Sequence, residues 1–238
     1  MTLAEILGSL FPDGHSVTVR EGLVGGSGPF AGNSLAIVGV DGDTPLGIDG
    51  ALTLARSVLD TVRAGGRTPI LVVVDSDSQR MSRRDELLGL NEGLAHLAKA
   101  LLLADRSGHP TIGLIYGHSA AGAFIATALA TRVLAALPGA DPSVMDLPSV
   151  ARVTKLPLDR LTEMARSTPV FAPGLDNMVA TGAVHAVLDP EQPLHGQIRD
   201  LIAGLEPGDA RDRLGAERGG RPMAQAIADA VIDQARSG

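Results

Sequence analysis

The sequence predicts an α/β protein with a largely parallel sheet, on three observations. Strand-like and helix-like segments alternate from Asn33 to Pro138, the pattern of strands joined by crossover helices. Pro69 to Val74 (PILVVV) is an unbroken apolar run rich in β-branched residues, as in strands covered on both faces. Two strand segments precede the first core helix, so the rhythm opens as ββα and not as a plain βαβ wrap.

The elements follow in order. Thr2 to Phe11 reads as a short helix, and Ser16 to Arg20 alternates like a strand. Gly22 to Gly32 (GLVGGSGPFAG) is rich in turn residues and reads as a loop. It resembles a phosphate cradle, but it lies between strands and not before a helix, so the dinucleotide fingerprint fails its context test. Leu35 to Val40 is a strand. Gly50 to Ala64 places Leu52, Ala55, Val58, Leu59 and Val62 at helical spacing. After the Pro69 strand, Asp85 to Asp105 reads as one long amphipathic helix carrying Leu87, Leu90, Leu94, Leu97, Ala98 and Leu101. Ile112 to Ile115 forms a buried strand leading into an Ala-rich helix, and Arg132 to Leu137 is a further strand. Past Ala140 come short helical patterns, a strand at Ala183 to Leu188, and a polar helical end at Pro222 to Arg236. No internal repeat divides the chain. We therefore expect a single domain over residues 1–238, with its core at about 33–189 and a peripheral helical part at about 190–238.

Composition narrows the function. The 238 residues can bury a substantial core. A net charge of −7 and only 2 % aromatic residues argue against nucleic acid, which needs a basic face or stacking rings. The absence of cysteine excludes disulfides and thiolate metal sites and fits a reducing, cytoplasmic setting. The first residues, MTLAEILGSLFPDG, lack the basic n-region of a signal peptide. No run approaches the ~20 apolar residues of a membrane span, so no membrane partner is expected.

The most informative stretch is Pro110 to Thr131 (PTIGLIYGHSAAGAFIATALAT). A strand breaks at Gly117-His118-Ser119-Ala120-Ala121-Gly122-Ala123 and passes into a helix. Such a turn presents bare backbone N–H groups that bind an anion, or a carbonyl oxygen that becomes one. Small side chains let a substrate reach the main chain.

The region from Gly32 to about Asp189 resembles the crotonase-like (ClpP/crotonase) fold of biotin-dependent acyl-CoA carboxyltransferase subunits. Pro69 to Asp75 matches their first strand, Glu86-Leu-Leu-Gly89 their helix start, and Gly117 to Ala123 their Gly-rich second turn. It is more similar to the gamma subunit of biotin-independent malonate decarboxylase, through Val74 to Gln79, Ile115 to Ser119, Ser149 to Thr154 and Thr168 to Gly174. The turn Asp75-Ser-Asp-Ser-Gln79 lacks the carboxyltransferases' Pro-Gly, and Ala120 and Ala121 stand where they favour Gly and Ser. Both departures suit a biotin-free relative. The resemblance implies ββα units with a helical C-terminal part and a homologous beta-subunit partner. The implied reaction converts a malonyl thioester on an acyl carrier protein to the acetyl thioester and CO₂. The substrate then rides on a CoA-like prosthetic group, with no cofactor bound by this chain.

Carried over, Ser119, Ala120, Ala121, Gly122 and Ala123 supply oxyanion-type donors, while a bland reading makes them a tight packing turn. Gly117 and His118 belong to the same motif. Ser76, Ser78 and Gln79, after a buried strand, are candidates for the malonyl carboxylate, or else a helix-capping turn. Arg80, Arg83 and Arg84 form the densest basic cluster, fit for a phosphate or an acidic carrier, or for a solvated surface. No acidic or histidine spacing suggests a metal. Three alternatives stay open: a biotin-dependent carboxyltransferase alpha-type subunit, a scaffold that completes a partner's site, and a serine hydrolase. The last arises because Ser119 lies near a Gly-x-Ser-x-Gly elbow, with His185 downstream.

Overall fold

The computed structural model describes residues 1–237. In chain order the elements are α1 (Leu3–Leu10), β1 (Thr18–Arg20), β2 (Leu23–Phe30), β3 (Asn33–Val40), α2 (Ile48–Arg63), β4 (Ile70–Ser76), α3 (Arg83–Leu87) and α4 (Leu90–Arg106). They continue as β5 (Thr111–Ala120), α5 (Ala121–Ala126), β6 (Val133–Ala136), β7 (Asp141–Ser143), α6 (Leu147–Thr154), α7 (Leu158–Ala165) and α8 (Leu175–Ala180). The last four are β8 (Ala186–Val187), α9 (Leu194–Ala203), α10 (Arg211–Glu217) and α11 (Ala224–Ser237). The chain forms two compact units. One comprises Met1–Val144 with Ala186–Leu205, the other Met145–His185 with Glu206–Gly238.

The first unit holds the whole sheet, in the order β1-β2-β3-β4-β5-β6-β8, with β7 also paired to β5. β1, β2 and β3 are antiparallel; from β3 onward every pair is parallel. Side chains alternate across a strand. Leu35, Ile37, Leu71, Val73, Ile112 and Leu114 therefore point to one face, where Leu3, Ile6, Leu7 and Leu10 of α1 and Leu194 and Ile198 of α9 close the core. Thr2 fixes the start of α1 with a capping box, its Oγ1 accepting from Glu5 N and its N donating to Glu5 Oε2 at 2.7 Å. On the other face lie α2, α4 and α5. α2 buries Leu54, Ala55 and Val58, and α4 buries Leu90, Leu94, Leu97 and Leu101.

Three local expectations are corrected. Gly22 to Gly32 is not a loop; most of it is β2, paired residue for residue with β3 from Leu23↔Val40 to Phe30↔Asn33. Its glycines serve close approach. A Cβ on Gly28 would lie 2.4 Å from the Phe11 ring, and one on Gly26 2.5 Å from Val17 Cα. The hairpin turns on Ala31 and Gly32, both at positive φ (47° and 79°), as a type I′ turn requires. The helix expected over Asp85 to Asp105 is two helices, broken at Gly89 in the left-handed region (φ 83°). Asp85 is buried in ion pairing and Leu87 is 75 % exposed, so the first segment does not continue the apolar stripe. Finally, the strand expected to end at Ile115 runs on to Ala120, and the helix starts only at Ala121.

That extension is irregular. Val74 pairs with Ile115 and Ser76 with Ser119, so three residues of β5 oppose Asp75 alone. The Asp75 side chain fills the bulge, its Oδ1 accepting from His118 N at 3.0 Å.

In the second unit, Asp146 caps α6 through Ser149 N at 2.8 Å. Arg218 ties α10 to the segment after α8, donating to the carbonyls of Val179, Val184 and His185 at 2.9, 2.7 and 2.8 Å. Among the described residues, no helix is long and apolar enough to cross a membrane.

Candidate functional site

The carboxyl edge of the parallel strands is where open α/β sheets carry ligand contacts. Here β3 leads to Asp41, β4 ends at Asp75 and Ser76, and β5 projects through Gly117 to Ala120 before α5 begins. Ala120 is extended (φ −126°, ψ 153°) and Ala121 is left-handed (φ 50°), which costs a non-glycine residue about 1–2 kcal/mol. The chain thus turns sharply from strand to helix. The first-turn amides of Ala121, Gly122 and Ala123 have no partners within the helix. One of them is already taken: Gly122 N donates to Gln79 Oε1 at 2.8 Å. A carboxamide oxygen from the β4 loop thus fills the acceptor position on this amide. A Cβ on Gly122 would lie 3.0 Å from that oxygen and 3.2 Å from Leu94 Cδ1, so glycine keeps the approach open.

Ser119 does not behave as an exposed nucleophile. It is fully buried and its Oγ has no hydrogen-bond partner. In a nucleophile elbow the attacking serine occupies the strained turn position; here that position belongs to Ala121. The hydrolase reading therefore loses its geometric basis.

The other sequence candidates separate. Ser76 is buried and donates its hydroxyl to Thr44 O at 2.9 Å. Ser78 Oγ donates to Gln79 O at 3.1 Å. The loop is stitched to the segment before α2 by Leu46 N to Ser78 O (2.8 Å) and Arg80 N to Leu46 O (2.9 Å). Of the three, Gln79 is the one joined to the α5 amides.

Nor do the arginines act as a free cluster. Arg80 grips Asp85 with two prongs, Nε to Oδ2 at 2.8 Å and Nη2 to Oδ1 at 3.0 Å. Asp85 also accepts from Ile48 N at 2.8 Å and from Ser82 Oγ. The Arg80 guanidinium first, then Ser82 and the Ile48 amide, hold this carboxyl well below the usual carboxylate range. A Cβ on Gly47 would lie 2.3 Å from Arg80 Nη2, which explains glycine at the N-cap of α2. Arg84 pairs with Asp49 at 2.6 Å. Arg83 is exposed and forms no ion pair among the described residues.

One residue escaped the sequence reading, Tyr116, and the expected site residue His118 has a partner that the sequence did not show. Tyr116, the single tyrosine, donates to Asp41 Oδ1 at 2.6 Å. Burial first, then the Asp41 bond and the nearby Asp75, push its phenol far above the ordinary range. His118 is 37 % exposed at its side chain, with Nδ1 3.5 Å from Asp141 Oδ2 on β7. The signal for both was positional: Asp41 and Asp75 end neighbouring strands, and the β5 bulge faces them. In the second unit, burial and the charges of Arg211 and Arg218 push the His185 imidazole down to about 4. No group of residues able to hold a metal ion occurs among the described residues.

Comparison with known proteins now gives the site a context. The chain is 29 % identical over 196 residues to the malonyl-S-ACP:biotin-protein carboxyltransferase MADD of Malonomonas rubra, covering 74 % of this chain and 67 % of the relative. It superposes on a chain of the Pseudomonas malonate decarboxylase MdcD-MdcE hetero-dimer with a TM-score of 0.74 and 26 % identity, covering 97 % and 98 % of the two chains. It shares its fold with transcarboxylase 12S, at a TM-score of 0.69 and 18 % identity, over 87 % of this chain and 43 % of that one. The fold is thus the crotonase-like one of the carboxyltransferases. The model of the malonate decarboxylase gamma subunit matches residues 42–235, a span that includes every candidate residue of the carboxyl edge except Asp41, and the chain belongs to that family.

Proposed function

We propose that this gamma-type chain pairs with a homologous beta subunit and that the pair decarboxylates a malonyl thioester carried on an acyl carrier protein. Loss of CO₂ leaves an enolate at the thioester. Donors aimed at the developing negative oxygen lower the barrier, and a single one can be worth about 3–4 kcal/mol. The observation that carries this reading is the contact of Gly122 N with Gln79 Oε1 at 2.8 Å. It is an amide-to-carbonyl contact at the strand–helix turn of a family member, made with no charged group. A substrate oxygen would take the place of Gln79, with Ala121 and Ala123 as the neighbouring donors. Of the basic cluster, Arg83 is the residue left for an acidic carrier. Biotin has no role in this reading, and a cytoplasmic complex suits the cysteine-free composition.

The test is direct. The chain, co-purified with its beta subunit, should release CO₂ from a malonyl thioester, and the chain alone should not. Full turnover by the isolated chain would sink the two-subunit reading.

A second reading has one observation in its favour. MADD is named as a transferase to a biotin protein, so carboxyl transfer is the competing outcome. Adding free biotin with labelled malonyl thioester separates the two: label retained on biotin supports transfer, and label lost as CO₂ supports decarboxylation.

A further inference from the structure

After CO₂ departs, the reaction is half complete. The malonyl group ⁻OOC–CH₂–C(=O)–S–R has lost its carboxylate as CO₂, and the electron pair of the broken C–C bond has formed CH₂=C(O⁻)–S–R. This enolate must take a proton on carbon to become CH₃–C(=O)–S–R. Each turnover consumes one proton, which some acid has to deliver.

The carboxyl edge of the first unit offers few acids. Tyr116 is buried and holds its proton to Asp41 at 2.6 Å, and its surroundings resist loss of that proton. Asp41 and Asp75 serve as acceptors, of the Tyr116 hydroxyl and the His118 amide. Arg80 is locked on Asp85, and a guanidinium does not give up a proton in a protein. Ser119 is sealed from solvent.

The remaining histidines are employed or placed elsewhere. His15 accepts from Val17 N, while His109 and His195 engage the carbonyls of Thr68 and Leu10. His96 lies within α4, and His185 belongs to the second unit.

His118 differs on every count. It lies in the β5 bulge, two residues before the N-cap of α5. Its main chain is pinned by Asp75 Oδ1 at 3.0 Å. Its ring is partly exposed, and the register His118↔Asp141 sets the Asp141 carboxylate 3.5 Å from Nδ1. A carboxylate at one ring nitrogen orients an imidazole and leaves the other free to exchange a proton. Of the charged groups, Asp141 on β7 meets its ring and Asp75 on β4 its main chain, while Asp41 and Tyr116 at the same edge are bonded to each other.

We infer that His118, oriented by Asp141, is the acid that protonates the enolate carbon. The inference rests on the decarboxylase reading above. The imidazolium gives its proton to the CH₂ carbon, whose C=C pair forms the new C–H bond as the thioester carbonyl re-forms. The neutral imidazole then regains a proton from water. Asp141 is a positioning residue.

The experiment uses the complex of this chain with its beta subunit and malonyl-CoA stereospecifically labelled with tritium at C2, in D₂O. An enzyme-held acid delivers deuterium to one face, so the wild-type complex should give acetyl-CoA with a chiral methyl group. His118→Gln should lower kcat by about 100-fold or more, leave KM within threefold, and yield a racemic methyl. Added imidazole should restore part of the rate to His118→Gly. A His118→Gln complex with kcat within threefold of wild type and a chiral methyl overturns the assignment. Should the His118 variants fail to co-elute with the partner, Asp141→Asn carries the test, since that carboxylate is 68 % exposed. It should lose at least about fivefold in kcat and part of the chirality, and an unchanged rate and product overturn the inference. A wild-type complex that releases no CO₂ from either malonyl-CoA or the carrier-bound malonyl thioester overturns the decarboxylase reading instead.

Discussion

Gly117→Ala should damage the site through a single methyl group. A Cβ at Gly117 would lie 2.2 Å from Asp75 Oδ1, 2.5 Å from Cγ and 3.0 Å from Cβ. Carbon needs roughly 3.5 Å from such neighbours, so the methyl and the carboxylate overlap by about 1 Å. Two escapes exist. If Asp75 rotates away, the part-buried His118 N–H loses its acceptor, at a cost of about 1–3 kcal/mol. If β5 moves instead, Ser119 and the amides of Ala121 to Ala123 move with it, and a 1 Å misplacement can cost about 100-fold in rate. Asp75→Ala removes the obstacle and leaves only the Cβ contact at 3.0 Å. The two changes should therefore be strongly non-additive. In urea unfolding of the chain, Gly117→Ala should cost about 1–3 kcal/mol in the wild-type background and near zero once Asp75 is Ala. In the complex with the beta subunit, Gly117→Ala should lower kcat by about tenfold or more. Additive energies, or a Gly117→Ala variant as stable and active as wild type, would refute the claim that Asp75 sets the bulge.

Ser119→Ala keeps every N–H and removes an unpartnered buried hydroxyl; kcat should stay within about tenfold, or 1.4 kcal/mol, with stability unchanged or slightly raised. Ala121→Val forces a branched residue into the left-handed region and should cost about 1–3 kcal/mol and far more activity; the reverse ranking would restore the nucleophile reading. Arg83→Ala should leave the melting temperature unchanged and raise KM for carrier-bound substrate in a salt-dependent way, whereas Arg80→Ala should lower the melting temperature by stranding buried Asp85. His185 is neutral in the fold down to about pH 4 but takes up a proton below about 6.5 when unfolded, so stability should fall as pH drops from 6.5 to 4 and level off below. The full shift corresponds to about 3 kcal/mol, and screening of the partly exposed ring reduces it to about 1–2 kcal/mol. Urea titrations of wild type and His185→Gln at pH 7 and pH 4.5 check this, and equal losses in the two proteins would rule it out.

Much of the fold was legible because it rests on periodicity. The apolar run of β4 and the leucine spacing of α4 are local signals, and the largely parallel sheet follows from the alternation of strands and helices. β2 was not legible, because its five glycine and serine or proline neighbours score as turn residues. Their reason is tertiary: Phe11 and Val17 lie where side chains would be. The break at Gly89 hid for the opposite reason. Leu87 and Leu88 continue the leucine pattern, but Asp85 faces inward to meet Arg80 and Ile48 N. At the site, the small residues of Gly117 to Ala123 announced a strand–helix turn, though not where it begins. Its start depends on Asp75, forty-odd positions away in sequence, and no window on the motif contains that residue. The arginines show the same limit: a sequence displays three cations, and only the fold reveals that Asp85 and Asp49 have claimed two.

The irregular features of the chain are not spread evenly, and their distribution bears on function. Among the described residues, five non-glycine positions have positive φ: Glu21, Ala31, Asp43, Ala121 and Lys155. Glu21 and Ala31 sit in turns between strands, Asp43 in the loop after β3, and Lys155 at the C-cap of α6. Those are places where a left-handed residue reverses or ends a segment. Ala121 alone lies inside an element, at the first position of α5. Just before it come the bulge opposite Asp75 and the orphaned hydroxyl of Ser119. The left-handed alanine and the unmet hydroxyl each cost about 1–3 kcal/mol, against a total stability of only about 5–15 kcal/mol for a typical domain. A turn made only to connect β5 to α5 would carry glycine at the strained position and leave no polar group unmet. What the strain accomplishes is directional: it swings the first amides of α5 toward the carboxyl edge, where Gln79 now meets one of them. Strain at this turn, next to the bulge that Asp75 pins, fits the preorganised donor site proposed above. On the function proposed above, the backbone supplies the donors and His118 is the one side chain of the motif whose proton moves.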